Sequence, residues 1–161
     1  MKEENSMNPK IQTAKMIRIV AVAFEGKFDK AGEPYFEHCH RVAYNTPTDD
    51  EELRQIKLGH DLFEDTDITA QYLRDEGFSE RVIDGIFAMT KHRGQSYEEY
   101  QIAVMRNDDT ILTKMDDLND NSDIRRMKNE DVREKDVART IKYMKFYGML
   151  KQVAKAKGLI K

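Results

Sequence analysis

Only one cysteine, Cys39, occurs in the chain, so no internal disulfide can form, and a reducing compartment is the natural setting. Tryptophan is absent, and the 3 prolines and 8 glycines fall mostly at the edges of apolar-periodic segments. That excludes collagen-like, low-complexity and Pro-rich linker architectures. Long apolar runs are missing too. The run over 17–24 is followed by charge, and it is too short to cross a bilayer, which takes about 20 residues. No cleavable signal pattern accompanies it. Nor is there an excess of one charge: 27 Lys and Arg face 30 Asp and Glu, a formal net charge of −3. The molecule as a whole therefore has no nucleic-acid footprint. The expectation is a soluble, cytoplasmic protein without membrane or nucleic-acid partners.

What is present is charge on a helical pattern. Charged residues make up 35% and hydrophobic residues 39%, a globular rather than a disordered profile. The 161 residues fit one domain, 1–161, and no repeat or linker divides it. Helix-period patterning predicts an all-α fold, a compact bundle with no strand. A first helix is expected over 8–28, with Pro9 in its first turn and Ile11, Ala14, Ile17, Val20, Ala21 and Phe24 as its apolar face. Pro34 opens a second helix carrying His38. Thr48 and the acidic cluster 49–52 start a third, which carries Leu53, Ile56, His60, Asp61 and Phe63. Thr69 and Ser79 cap two more, the second turning Val82, Ile83, Ile86 and Phe87 inward. Ser96 with Glu99 forms a capping box. Asp108 starts a helix with Ile111, Leu112, Met115 and Leu118 apolar. A last helix over 134–157 has Val137, Ile141, Met144, Leu150 and Val153 on one stripe.

Four residues combine types that ligate divalent ions: His38, the adjacent His60 and Asp61, and Asp117. Adjacent helical residues point about 100° apart. His60 and Asp61 can therefore both reach an ion in a groove between helices, with His38 and Asp117 coming from flanking helices. A mixed nitrogen and oxygen set with open positions suits an octahedral Mn²⁺, Fe²⁺, Co²⁺ or Mg²⁺ better than tetrahedral Zn²⁺. Singly, each residue has a plainer reading. A lone His on a helix is structural or exposed by default, and His40 stands near enough to replace His38. His60-Asp61 is a common dipeptide, and Asp117 lies in an acidic, Asn-rich stretch that suits a solvated turn.

The surroundings of these residues carry more. Gly32-Glu33-Pro34-Tyr35-Phe36-Glu37-His38 is followed by Val42-Ala43. Leu58-Gly59-His60-Asp61-Leu62-Phe63-Glu64-Asp65-Thr66 comes next, and Lys114-Met115-Asp116-Asp117-Leu118-Asn119-Asp120-Asn121 is third. In this order they resemble the G-x-P-Y-x-x-H, H-D-x-x-E-D-T and K-x-x-D-x-x-x-N boxes of the HD-domain superfamily. Within it they are most similar to the hydrolase domain of the RelA/SpoT alarmone enzymes. The resemblance covers about 20–125, while the C-terminal helix, within 131–161, is only loosely similar.

The resemblance implies a metal-dependent phosphohydrolase with one divalent ion, commonly Mn²⁺, on His38, His60, Asp61 and Asp117. It makes Glu64 and Asp65 the acidic pair that orients the attacking water. Spacing agrees in part: Glu64 lies four residues after His60 and Asn121 four after Asp117, each pair on one helix face. An acidic helix end facing solvent is the plainer reading of Glu64-Asp65. Lys30 and Asn121 are expected at the substrate, with Lys91, Arg93 and Arg125 as phosphate-binding cations. Each of the three also reads as a solvated helix end. His92 stands between Lys91 and Arg93, and Arg126 follows Arg125. Tyr143, Phe146 and Tyr147 offer base stacking or, at their helical spacing, core.

Three departures stand out. Phe24-Glu25-Gly26-Lys27 replaces a His-x-Gly-Gln box, and Cys39 replaces a Pro. Asp29-Lys30 stands where the SpoT-like enzymes carry a basic pair, so Asp29→Arg is expected to improve use of a guanosine polyphosphate. The implied reaction is removal of the 3′-pyrophosphate of a ppGpp-like alarmone. Hydrolysis of another nucleotide, or a non-catalytic nucleotide-binding HD module, are the alternatives. The sequence leaves oligomeric state open, a homodimer included.

Overall fold

The computed structural model describes residues 8–127 and 132–161; residues 1–7 and 128–131 lie outside them, the last of these being where the expected C-terminal segment begins. Helices α1 (Pro9–Ala23), α2 (Tyr35–Tyr44), α3 (Glu51–Gly59), α4 (Leu62–Asp65), α5 (Ala70–Asp75), α6 (Glu80–Met89), α7 (Tyr97–Met105), α8 (Asp108–Asn121) and α9 (Glu134–Ala156) follow in order, with a 3₁₀ turn at Ile124–Arg126. Among the described residues there is no strand, only an isolated bridge between Phe28 and Pro34. No described helix is long and apolar enough to cross a membrane.

Helix starts follow the expected capping chemistry. Asn8, Asp50, Thr69, Ser79 and Asn107 each accept a backbone N–H of the first turn that follows, and Ser96 with Glu99 closes a capping box. Asp50, rather than Thr48, caps α3. Gly77 ends the α5 turn at φ +85°, where a Cβ would be strained, and lets Phe78 N–H bond back to the Leu73 carbonyl at 3.0 Å.

Three expected helices differ in extent or face. The first stops at Ala23 rather than 28, because Phe24 turns into the core and Gly26 takes φ +79°. Its buried face is Thr13, Met16, Ile19 and Val20, while Ile11, Ala14 and Ala21 are exposed. Long side chains have more area to bury than alanines, and they set the register. In α6, Phe87 points outward and packs at a tilt against His92, 4.2 Å between ring centroids. On α9 the buried apolar line is Phe146, Leu150 and Ala154, so Val137, Ile141 and Met144 lie on the exposed side.

Two apolar clusters hold these elements. One joins α1, α2, α3, α5 and α6 through Met16, Val20, Phe24, Cys39, Ile56, Leu73, Val82 and Ile86. The other joins α7, α8 and α9 through Tyr100, Val104, Ile111, Leu118, Phe146 and Leu150. Helix α3 packs against α1, α2 and α6, and α2, α3 and α6 all reach α8, so these three helices join the two halves. Its contact with α6 depends on Gly85: a Cβ there would lie 2.6 Å from Ile56 Cδ1 and 2.8 Å from Ile56 Cγ1. Gly85→Ala is therefore expected to destabilise the fold by about 1–3 kcal/mol, the usual range for overpacking. Denaturant unfolding checks this; a wild-type midpoint would mean that α3 and α6 part freely.

Candidate metal centre and its cavity

The His60-Asp61 pair does not sit within one continuous helix. α3 ends at Gly59, Asp61 takes φ −101°, ψ 1°, and α4 restarts at Leu62. Gly59 is pressed against Ile86, Met16 and Leu62 with no room for a Cβ, its would-be neighbour Ile86 Cδ1 being 2.8 Å away. The break brings both polar side chains to the α2–α3–α8 junction. His38 arrives from the buried face of α2, and Asp117 from that of α8.

There the four side chains converge. His38, His60 and Asp61 offer ligand atoms that all lie within 4.8 Å of one another. His38 Nε2 and His60 Nε2 are 3.3 Å apart. Asp117 Oδ1 lies 3.3 Å from the first and 3.4 Å from the second. Asp61 Oδ2 lies 3.0 Å from His60 Nε2 and 3.7 Å from His38 Nε2.

The far side of each ring is engaged. His38 Nδ1 meets Asp120 Oδ2 at 2.6 Å, and His60 Nδ1 meets the Lys57 carbonyl at 2.8 Å. A carboxylate and a carbonyl only accept, so both Nδ1 atoms carry the proton. Two Nε2 lone pairs then face one another at van der Waals distance, flanked by two carboxylates. Such a cluster calls for positive charge at its centre, and a divalent cation fits this donor set. Without one, protons serve. Burial works against charged imidazoles, but Asp117 and Asp120 outweigh it at His38, and Asp61 and Asp117 at His60, so both pKa values are raised.

The carboxylates are held ionised. Burial opposes this at Asp117, yet Lys114 and the two imidazoles hold its pKa well below the usual range. Lys114 Nζ donates to Asp117 Oδ2 at 2.7 Å, and Asn121 Nδ2 donates to Oδ1 at 2.6 Å. Asp61 is lowered likewise, burial being overcome by His60. Its Oδ2 accepts the Tyr35 hydroxyl at 2.6 Å; burial and Asp61 push that phenol far up, so it stays a donor.

The cluster opens onto a cavity of about 410 Å³ lined in part by Asp61, Asp117, Glu64, Asp65 and Tyr35. Glu64 is exposed at the cavity, its pKa raised by partial desolvation, and its Oε1 accepts the Lys91 N–H at 3.0 Å. Asp65 Oδ2 is bound to Lys27 Nζ at 2.7 Å, and that ammonium also lies over the Tyr35 ring.

Of the expected substrate residues, Lys30 and Asn121 line the cavity. Three cations do not. Arg125 points away, its side chain 88% exposed and paired with Asp123; the 3₁₀ turn presents Arg126 instead. Lys91 and Arg93 are exposed outside the cavity, and Lys91 contributes its backbone to Glu64. His40, the alternative to His38, is stacked on Tyr44 at 4.6 Å, away from the cluster. Among the aromatics, Tyr143 reaches the cavity, Phe146 is core, and Tyr147 borders two other hollows.

Arg126, next to Arg125 in the sequence, and Arg139, which the sequence did not single out, are further cavity cations. Asp29 is already engaged. Its Oδ1 accepts Ala31 N–H and Glu33 N–H at 2.8 and 3.0 Å, and its Oδ2 accepts Arg126 Nη1 at 2.8 Å. An Arg at 29 would remove those acceptors and repel Arg126, so the simple gain expected of Asp29→Arg does not follow from the site.

No family model matches the chain, and no curated protein sequence does. A solved structure described as a metazoan ortholog of SpoT that hydrolyzes ppGpp and plays a role in starvation responses superposes with a TM-score of 0.69. The match spans 92% of this chain and 96% of that one, at 17% identity. The chain shares the all-α fold of that neighbour, and at this identity the likeness is one of fold alone.

Proposed function

We propose that this chain is a metal-dependent phosphohydrolase acting on a nucleotide, with the 3′-pyrophosphate of a ppGpp-like alarmone as its substrate. The observation that carries the reading is the pair of buried His38 and His60 Nε2 atoms, 3.3 Å apart and flanked by Asp61 and Asp117, which line a cavity that also holds Glu64. The donor set suits Mn²⁺, with Fe²⁺, Co²⁺ or Mg²⁺ as alternatives. Bound there, the ion supplies Lewis-acid polarisation of a phosphoryl oxygen and lowers the pKa of water.

The chain's own residues do the rest. Glu64, raised towards working pH, takes the proton from the attacking water, and Asp65 holds Lys27 across the cavity mouth. Lys30, Arg126 and Arg139 supply positive charge for phosphate oxygens, while Phe28, Ile124, Met127 and Tyr143 give an apolar face for a base. Asn121 and Lys114 hold Asp117 in place.

A different nucleotide is the second reading, favoured by Asp29: its carboxylate neutralises part of Arg126 at the position where SpoT-like enzymes have a cation. The experiment is a nucleotide panel including ppGpp, offered to the Mn²⁺-loaded protein with products identified by ³¹P NMR. GDP and pyrophosphate from ppGpp support the first reading. Turnover of other nucleotides alone supports the second, and no turnover of any overturns both.

A further inference from the structure

Asp120 occupies a variable position of the third sequence box, yet it is only 7% exposed. Burying a carboxylate costs several kcal/mol unless it is paired and hydrogen-bonded, so its partners are informative. Its Oδ2 accepts His38 Nδ1–H at 2.6 Å. Arg41 reaches it from α2, Nε donating to Oδ1 at 2.6 Å and Nη2 to Oδ2 at 3.2 Å. Arg126 reaches it from the 3₁₀ turn, Nη2 donating to the Asp120 carbonyl at 3.1 Å and lying 3.3 Å from Oδ2. Asp120 lies three residues after Asp117 on α8, so the two share a helix face. One carboxylate stands at the Nε2 side of His38 and the other at its Nδ1 side.

We propose that Asp120, clamped by Arg41 and Arg126, is the positioning residue for His38. An ionised carboxylate only accepts, so it fixes the imidazole in the Nδ1–H form and leaves Nε2 as a lone-pair donor facing His60 and Asp117. It also makes that nitrogen a stronger ligand, as carboxylates behind metal-bound imidazoles do. The two arginines prevent Asp120 from turning towards the ion itself. Arg126 further ties this carboxylate to Asp29 in the cavity rim, so the substrate side and the metal side of the site share one guanidinium.

The inference rests on the metal reading, and the test separates the two. Mn²⁺ alone is titrated into the chelator-stripped full chain, and free Mn²⁺ is followed by EPR. Asp120→Asn keeps the shape and removes the charge; its Kd is expected to rise about 10–100-fold. With diamagnetic Mg²⁺ in place of Mn²⁺, ¹⁵N NMR should show the variant's His38 losing its single Nδ1–H tautomer, which a merely structural role would not cause. A folded Asp120→Asn with wild-type Kd overturns the positioning role. Should that variant not fold, Arg41→Gln decides, since it loosens Asp120 and leaves the ligands untouched: a few-fold rise in Kd upholds the role and a wild-type Kd overturns it. A wild-type chain that binds no Mn²⁺ overturns the metal reading instead.

Discussion

Asp61→Ala is expected to lose the bound divalent ion and to lower hydrolysis by at least about 10³-fold, the equivalent of the several kcal/mol of charge stabilisation that a metal ion contributes to such reactions. Asp61 lies beside both Nε2 atoms, and its carboxylate is held ionised chiefly by His60 against the cost of burial. Alanine removes the charge and a ligand atom together. It also removes the acceptor of the partly buried Tyr35 hydroxyl, Asp61 Oδ2 at 2.6 Å, at a cost of up to about 1 kcal/mol for a lost hydrogen bond. Asp61→Asn separates the two effects, because the amide oxygen still accepts from Tyr35. The expected result is near-normal stability for the Asn variant, with metal and activity lost in both. Metal content by atomic emission, measured with turnover on the same preparations, checks this. Parent-like metal and turnover in both variants would remove Asp61 from the ligand set.

Glu64→Gln is expected to keep the metal and lose about 10²-fold or more in kcat, the usual range for a missing general base. The substitution suits the site: Gln Oε1 can still accept the Lys91 N–H that Glu64 holds at 3.0 Å, so the local backbone is preserved. The pH profile gives a second reading. Glu64 works as a base only when deprotonated, and partial desolvation raises its pKa above that of an ordinary glutamate. In the parent, activity therefore falls as pH drops through that raised value. In the variant this acid limb should vanish, leaving a low rate that no longer titrates there. Full metal with unimpaired kcat would take Glu64 out of the reaction, and lost metal would make it a ligand.

The sequence made the parts of the site that lie close together in the chain readable. His60, Asp61, Glu64 and Asp65 fall within six residues, and Lys114, Asp117 and Asn121 within eight, so helical spacing alone places each set on one side. Spacing could not show the break between α3 and α4, because Gly59 is explained by Ile86 pressing on it from 27 residues away. The same holds for Arg41 and Asp120, 79 residues apart: each is an ordinary surface charge in sequence, and in space Asp120 is buried under a partly exposed Arg41. Arg125 and Arg126 are alike in composition, and only the 3₁₀ turn decides which faces the cavity. On α9 several apolar residues repeat with helical periodicity on more than one face, and packing against α8 selects Phe146, Leu150 and Ala154. The sequence signal that was available for Asp120 is modest: it stands three residues after Asp117.

Metal dependence can be tested on the unmodified protein. The chain is stripped with chelator, assayed on the nucleotide it turns over, and titrated with Mn²⁺ while the initial rate is followed. Four ligands converging on one point predict no turnover in the stripped protein and a linear return of activity that breaks at one ion per chain. Full activity in the metal-free protein would contradict it.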